Sequence, residues 1–207
     1  MQNLDRKNHW ETIYQTKELN TVSWYQAIPQ TSLDFIAEAN LPKDARIIDI
    51  GGGDSFLVDH LLDLGYTNIS VLDISEIALE KAKIRLGAKA ESVCWLLSDI
   101  NDFNTEQRYD LWHDRAAFHF LKEENEIKNY IEKANHLVSK NGTLIIGTFS
   151  EQGPMKCSGI EIKRYSISDL LDSLKVYFGK SKCNNTDHIT PGGAVQNFSF
   201  CSFKKLY

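Results

Sequence analysis

The sequence predicts one α/β domain, a mostly parallel sheet with helices on both faces, finished by an antiparallel hairpin. Three observations carry this. Compact apolar runs alternate with helix-period segments through residues 46–148, the mark of βαβ units. The first run ends in a glycine turn that opens directly into a helical pattern. In the last quarter, a short helix is followed by two extended segments separated by a turn-rich stretch. A length of 207 residues suits one core, and 42% hydrophobic with 25% charged content is that of a folded globular chain.

Strands are predicted at 46–50, 69–72, 93–97, 109–112 and 143–148, compact and predominantly apolar, as strands covered on both faces should be. Between them, 56–64 places Leu57, His60, Leu61 and Leu64 on one stripe. Ser75 is the N-cap of a helix over 76–86, with Ala78, Leu79, Ala82 and Leu86 facing inward and Gly87 ending it. The pattern Ile127, Tyr130, Ile131, Ala134, Leu137, Val138 predicts a helix over 123–138, and Asn141-Gly142 then turns the chain into the next strand. Residues 151–167 lack a period and contain Gly153-Pro154 and Ser158-Gly159; they read as a linker, placed to act as a lid over a pocket. A short helix over 168–174 precedes extended segments 176–182 and 195–203, the latter carrying Phe198 and Phe200 in alternation, with Pro191-Gly192-Gly193 in the turn. The division is 1–40 as N-terminal helical cap, 41–150 as core, 151–167 as lid and 168–207 as terminal helix and hairpin.

The formal charge of −5 and a pI near 5.7 argue against DNA or RNA as substrate, since phosphate binding needs a basic stripe. The densest basic run, Lys81, Lys83, Arg85 and Lys89, has the spacing of a solvated helix face. No apolar stretch reaches membrane-spanning length and the first ten residues hold no apolar core, which leads to the expectation of a cytoplasmic protein with no membrane partner. The cysteines Cys94, Cys157, Cys183 and Cys201 form no CxxC pair and match no zinc spacing, so they are expected to be free thiols and no metal is expected.

The strongest local signal is Ile47-Ile48-Asp49-Ile50-Gly51-Gly52-Gly53-Asp54-Ser55. Glycines between a strand and a helix let the backbone take positive φ and let a ligand approach the unpaired N–H groups of the helix start. The dinucleotide fingerprint GxGxxG asks for glycine at position 56, where this chain has Phe56. Asp49 is placed to accept from an ammonium group, or else to cap the turn. Asp73 ends the second strand, 22 residues past Gly51, where a carboxylate reaches ribose hydroxyls; its alternative, capping the next helix, is better served by Ser75. Asp99, closing the third strand, suits an adenine amine, with Ile74 and Ile100 against the ring. Acids after both the second and third strands point to S-adenosyl-L-methionine over a nicotinamide cofactor.

With these residues in place, the chain resembles the class I S-adenosylmethionine-dependent methyltransferases, whose Rossmann-like seven-stranded sheet ends in an antiparallel hairpin. The matching parts are the glycine turn 49–53, Asp73, Ser98-Asp99-Ile100 and the terminal hairpin, over most of the chain from about Trp10. Three stretches look like a bacterial branch of the broad methyltransferase-domain group: 112–121, 153–159 and 188–196. Trp10-Glu11 and Ser23-Trp24-Tyr25 are similar to the starts of protein-lysine methyltransferases, and Asp114-Arg115-Ala116-Ala117 to thiopurine-type small-molecule enzymes. The resemblance implies that Asp114 or His113 lies nearest the methyl group, Asp114 also bordering the cofactor. It further implies that Trp24 and Tyr25 lie in a segment covering the cofactor, Trp24 shielding the sulfonium and Tyr25 facing the substrate, or that both pack a helical cap onto the sheet.

Segment 113–120 follows the fourth strand at the carboxyl edge, where open α/β sheets bind ligands. It carries His113, Asp114, Arg115 and His119. His119 is the candidate base, or else a satisfied core histidine. Arg115 is an anion clamp on the substrate, or else an ion-pair partner of Asp114 or another acid. Trp10 and Tyr14, one helical turn apart, read as packing. The expected function is methyl transfer to a small-molecule acceptor. The alternatives are a protein lysine as acceptor, a nicotinamide-dependent oxidoreductase, and a non-catalytic adenosylmethionine-binding module. Nucleic-acid amino-methylation is less favoured, because His113-Asp114-Arg115-Ala116 stands where those enzymes carry Asn/Asp-Pro-Pro-aromatic.

Overall fold

The computed structural model describes residues 5–207; residues 1–4 of the expected N-terminal cap lie outside the described residues. Helix α1 (Arg6–Thr16) is capped by Asp5, and α2 (Gln30–Glu38) starts at Pro29. Strand β1 (Arg46–Ile50) leads through the glycine turn to α3 (Leu57–Asp63) and β2 (Asn68–Asp73). Ser75 then accepts from the Ala78 N–H and caps α4 (Glu76–Leu86), which stops at Gly87 with φ 56°. After β3 (Val93–Leu97) and β4 (Tyr109–Arg115) comes α5 (Glu124–Leu137), with Glu124 and Glu126 in its positively polarised first turn. Strand β5 (Val138–Phe149) is longer than its apolar run suggests, beginning directly at the end of α5.

Segment 151–167 is not a plain linker. It holds a two-stranded ladder, β6 (Lys156–Cys157) with β7 (Ile160–Glu161), and Ile167 already begins α6 (Ile167–Leu174) behind a Ser166/Asp169 capping box. The terminal hairpin joins β8 (Phe178–Ile189) to β9 (Val195–Lys205). Residues 183–189, expected in the turn, continue the strand, and the reversal is confined to the five residues carrying Pro191-Gly192-Gly193, closed by the Thr190 N–H on the Ala194 carbonyl.

The sheet order is β3-β2-β1-β4-β5-β9-β8, with the first five strands parallel and the last two antiparallel. Two cores follow from strand alternation. Ile48, Ile50, Trp112, Leu144 and Ile146 face α5 and α6, packed on Tyr130, Tyr165 and Phe203. Ile47, Ile69, Val71, Leu111 and Ile145 face α2 and α3, packed on Phe35, Leu57 and Phe200. By the same parity, Asp49 and His113 look to the α2 side and Asp114 to the α5 side.

One expectation fails outright. Cys183 and Cys201 are directly opposite on β8 and β9 and form a disulfide; only Cys94 and Cys157 are free thiols. Sequence spacing did not reveal the pair because it depends on hairpin register. No helix among the described residues is long and apolar enough to cross a membrane.

Candidate active site

Strand order runs outward in both directions from the β1–β4 pair, so the carboxyl ends of these strands open a crevice that no crossover helix fills. A cleft of about 1210 Å³, including its open mouth, lies there. It is lined by Asp49, Gly51, Gly52, Asp73, Ile74, Asp99, Ile100, Trp24, Tyr25, His113 and Arg115, bringing together most of the residues singled out by sequence. Gly53, in the same turn, is not among the lining residues, and neither are Asp114 and His119.

The glycine turn is tight for stated reasons. Gly51 and Gly53 have φ of 65° and 48°. A Cβ on Gly51 would sit 2.7 Å from the Ala117 Cβ, and one on Gly52 would sit 2.6 Å from Asp49 Oδ2. From behind, Arg85 of α4 pairs with Asp54 and, at 2.9 Å, with Asp59. Asp73 is buried, and its Oδ1 accepts from the Ser75 N–H at 2.8 Å. Burial pushes its carboxyl up to about 7, with the backbone N–H groups of Ser75 and Ile74 opposing and the charges of Asp49 and Glu11 adding to the rise. Asp99 is more engaged than expected: its Oδ1 accepts from the Asn101 N–H at 2.8 Å, and its Oδ2 faces Arg6 at 3.6 Å, itself paired with Glu126.

Helix α1 forms one wall, where Trp10 and Tyr14 pack on each other as expected and both also line the cleft. Trp10 meets Trp24 and Phe120 edge-on at 5.8 and 5.1 Å between centroids, and Tyr14 meets Trp24 at 6.2 Å. The helix is fastened by α4 at its middle and near its C-terminal end. Glu11 accepts from the Ser75 hydroxyl (2.7 Å) and the Glu76 N–H (2.9 Å), placing a carboxylate at the start of α4. Lys81 donates to the Tyr14 carbonyl at 2.6 Å, near the end of α1.

At the β4 end, His113 stands opposite Asp49 in the parallel register. Its Nδ1 is 2.6 Å from Asp49 Oδ1 and its Nε2 is 2.9 Å from the hydroxyl of Ser32 on α2, all three groups being buried. A carboxylate on Nδ1 keeps the proton there, leaving Nε2 to accept from Ser32. Ser32, which also lines the cleft, was not found by sequence; it lies 81 residues from its partner.

Asp114 and His119, both expected at the chemistry, face elsewhere. Asp114 accepts from the N–H groups of Ala117 and Phe118 and from Tyr130 Oη at 2.7 Å, pinning the turn after β4 on the α5 side. Burial raises it to about 6 against those donors. His119 is sealed, its Nδ1 accepting from the Phe149 N–H at 3.3 Å and its ring edge-on to Phe120 and tilted against Phe149. Burial, with the Arg115 charge nearby, lowers its pKa to about 3 and keeps it neutral. The ring does not line the cleft and is a core histidine, though not a fully satisfied one, since its Nε2 is buried without a hydrogen-bond partner among the described residues.

Arg115 does not pair with Asp114, which points to the other face. Its Nη1 donates to the Trp24 carbonyl at 3.2 Å and its guanidinium lies 5.0 Å from the Phe198 ring centroid.

Comparison with known proteins agrees with this architecture. The family model described as a methyltransferase domain matches residues 41–185. A malonyl-[acyl-carrier protein] O-methyltransferase of Bacillus anthracis is 29% identical over 123 residues, 59% of this chain and 43% of that protein. An eEF1A lysine and N-terminal methyltransferase of Mus musculus is 28% identical over 93 residues, 45% of this chain and 13% of that protein. The chain thus spans less than half the length of either relative. Among solved structures, the 1,6-didemethyltoxoflavin-N1-methyltransferase of Burkholderia thailandensis, with S-adenosylhomocysteine bound, superposes with a TM-score of 0.76 at 17% identity, covering 97% of this chain and 87% of that one. At that identity the likeness is one of fold, the Rossmann-like α/β methyltransferase sheet. Together with the match over more than half its length, this establishes that the chain belongs to the methyltransferase-domain family.

Proposed function

We propose that the protein transfers the methyl group of S-adenosyl-L-methionine to a small-molecule acceptor. The observation that carries this reading is Asp73: a buried carboxyl at the end of β2, with one oxygen bonded to Ser75 and the other beside the glycine turn, where a Cβ on Gly53 would lie 3.1 Å from it. A desolvated carboxylate there calls for hydroxyl donors, and a ribose diol supplies two. The cofactor fits the residues present. Asp73 would hold the ribose, Ile74 and Ile100 the adenine with Asp99 at its amine, and Asp49 with Gly51 and Gly52 the amino-acid end.

When bound, the cofactor supplies a methyl group already activated by its sulfonium, so the protein need only align the acceptor, exclude water and remove a proton where the acceptor carries one. Trp24 lines the cleft, and an aromatic ring there favours a cation. His113 is the proton acceptor, with Asp49 holding its tautomer and stabilising the charged ring. Ser32 donates to Nε2 and can pass a proton from the acceptor as it gives up its own. Segment 151–167 borders the acceptor end. Cys157 lines the cleft, and the segment is tied down by the Lys163 N–H on the His119 carbonyl and the Tyr165 N–H on the Phe149 carbonyl.

The malonyl-[acyl-carrier protein] and eEF1A-lysine enzymes among its relatives exemplify the two acceptor classes. Arg115 favours the small molecule. A guanidinium at the acceptor end repels a lysine ammonium, which would need acidic or carbonyl groups there. Calorimetry tests the reading: S-adenosylhomocysteine should bind and NAD should not. NAD binding, or a cleft indifferent to S-adenosylhomocysteine, would refute it.

A further inference from the structure

The charged groups lining the cleft form a nearly complete set of pairs. Arg6 meets Asp99 and Glu126, Asp54 meets Arg85, and Asp49 meets His113. Among the described residues, two lining charges have no ionic partner: Asp73 and Arg115. The proposed cofactor accounts for Asp73 through its ribose. The cofactor also carries a carboxylate, at the amino-acid end assigned to Asp49, Gly51 and Gly52; Arg115 lines the cleft beyond Asp49, bonded to the Trp24 carbonyl, and its Nη2 is buried with no hydrogen-bond partner.

The surroundings of Arg115 leave the charge standing. Burial lowers the guanidinium to about 10, against the opposing influence of Cys157 and Asp49, so it stays charged near neutrality. Its titratable neighbours do not neutralise it. His119 is held neutral by burial, and His188, which bonds the Ser23 carbonyl, is shifted down by burial and by Arg115 itself. Cys157 remains a thiol, pushed up to about 11 by burial. Asp49 contributes attraction from a distance but is already bonded to His113. One carbonyl and one aromatic face are poor compensation for a buried cation, which is tolerated where a ligand completes it.

We propose that Arg115 anchors a carboxylate on the methyl acceptor, making the acceptor a small organic acid with an apolar or aromatic body. This rests on the reading of the cleft as a methyl-transfer site. A single free donor edge beside one permanent cation suits a monoanion. A phosphate dianion would want a second cation, and Arg6 is committed to Asp99 and Glu126. The rest of that end, Trp24, Tyr25, Pro29 and Phe120, offers apolar surface for the body of the acid.

The test uses the full chain saturated with S-adenosylhomocysteine, titrated calorimetrically with benzoate, phenylacetate and hexanoate, and with the three corresponding amides. At least one acid should bind, its amide at least about tenfold more weakly. Arg115→Gln should lose the acid by a similar factor while keeping its affinity for S-adenosylhomocysteine, and Arg115→Lys should retain part of the binding. The proposal is overturned if no acid binds the complex, if amides bind as well as acids, if Arg115→Gln binds the acid unchanged, or if folded Arg115→Gln loses its affinity for S-adenosylhomocysteine, which would assign the guanidinium to the cofactor's own carboxylate. Should Arg115→Gln fail to fold, the acid–amide comparison on the native protein decides. Failure of S-adenosylhomocysteine itself to bind would instead overturn the cofactor reading.

Discussion

At the β2 end of the cleft, the groups facing the cavity come from strand ends and the turns that follow them: Gly51 and Gly52 after β1, Asp73 and Ile74 after β2, Asp99 and Ile100 after β3. At the β4 end, residues of β4 and its turn, His113, Arg115, Ala116, Ala117, Phe120 and Leu121, are joined by groups from distant parts of the chain: Trp24 and Tyr25 before α2, Ser32 on it and Cys157 on β6, while Tyr14 of α1 reaches across to the β2 end beside Asp73. The first end is set by local backbone geometry, the second by long-range packing. A cofactor common to many acceptors needs the former; an acceptor site must vary while the sheet stays the same.

The contrast can be broken most forcefully at Asp73. Asp73→Ala should weaken S-adenosylhomocysteine at least about a hundredfold, as expected for two charge-assisted hydrogen bonds, without changing acid binding by Arg115. Calorimetry on the variant checks this, and a cofactor affinity within a few-fold of the parent would show that the β2 end is not where the nucleoside is held.

A subtler effect comes from pH. In the free protein the Asp73 carboxyl sits at about 7, whereas hydroxyl donors favour its charged form. Affinity for S-adenosylhomocysteine should therefore drop about tenfold between pH 8 and pH 6, and Asp73→Asn should flatten the profile. The sign for the free protein is the reverse. Asp73, at about 7, and Asp114, at about 6, both lie above the ordinary carboxylate value, so their contribution to stability is full below pH 4 and is lost as pH rises through 6 to 7. Thermal shift by S-adenosylhomocysteine should thus grow from pH 6 to pH 8; a constant shift would count against a titrating Asp73.

His119 should give the smallest effect. His119→Phe loses the acceptor for the Phe149 N–H and should lower stability by about 1–2 kcal/mol, while leaving the affinities for S-adenosylhomocysteine and for an acid probe unchanged. A loss of either affinity, measured on the folded variant, would return this ring to the site.

What could be read from sequence follows the same division. The strand–glycine–helix step, Asp73 and the Ser75 cap are contiguous signals, and all are found in the structure as described. That His113 and not His119 lines the cleft is a matter of strand parity, which residue type alone does not carry. Residues 111 and 113 share a face with 47 and 49, and that alternation could have paired His113 with Asp49. No such signal exists for Ser32, 81 residues from His113, or for Glu11, 64 residues from Ser75. Trp10 and Tyr14 were recognised as neighbours, but helical spacing does not say whether their shared face meets a core or a cleft. The disulfide stayed hidden because the extent of β8 and its register against β9 had to be known first.

Helix α1 has no buried residue of its own, yet it carries two aromatic rings of the cleft. Besides the contacts of those rings with Trp24 and Phe120, its hold on the body of the protein is through partly exposed ionic and polar clasps at Glu11, Lys81 and Arg6. Added electrolyte screens such clasps while leaving apolar burial intact or strengthened. The doorway to the nucleoside and the house behind it thus answer to ionic strength in opposite directions, so the rate at which ligand enters and leaves is separable from the stability of the fold.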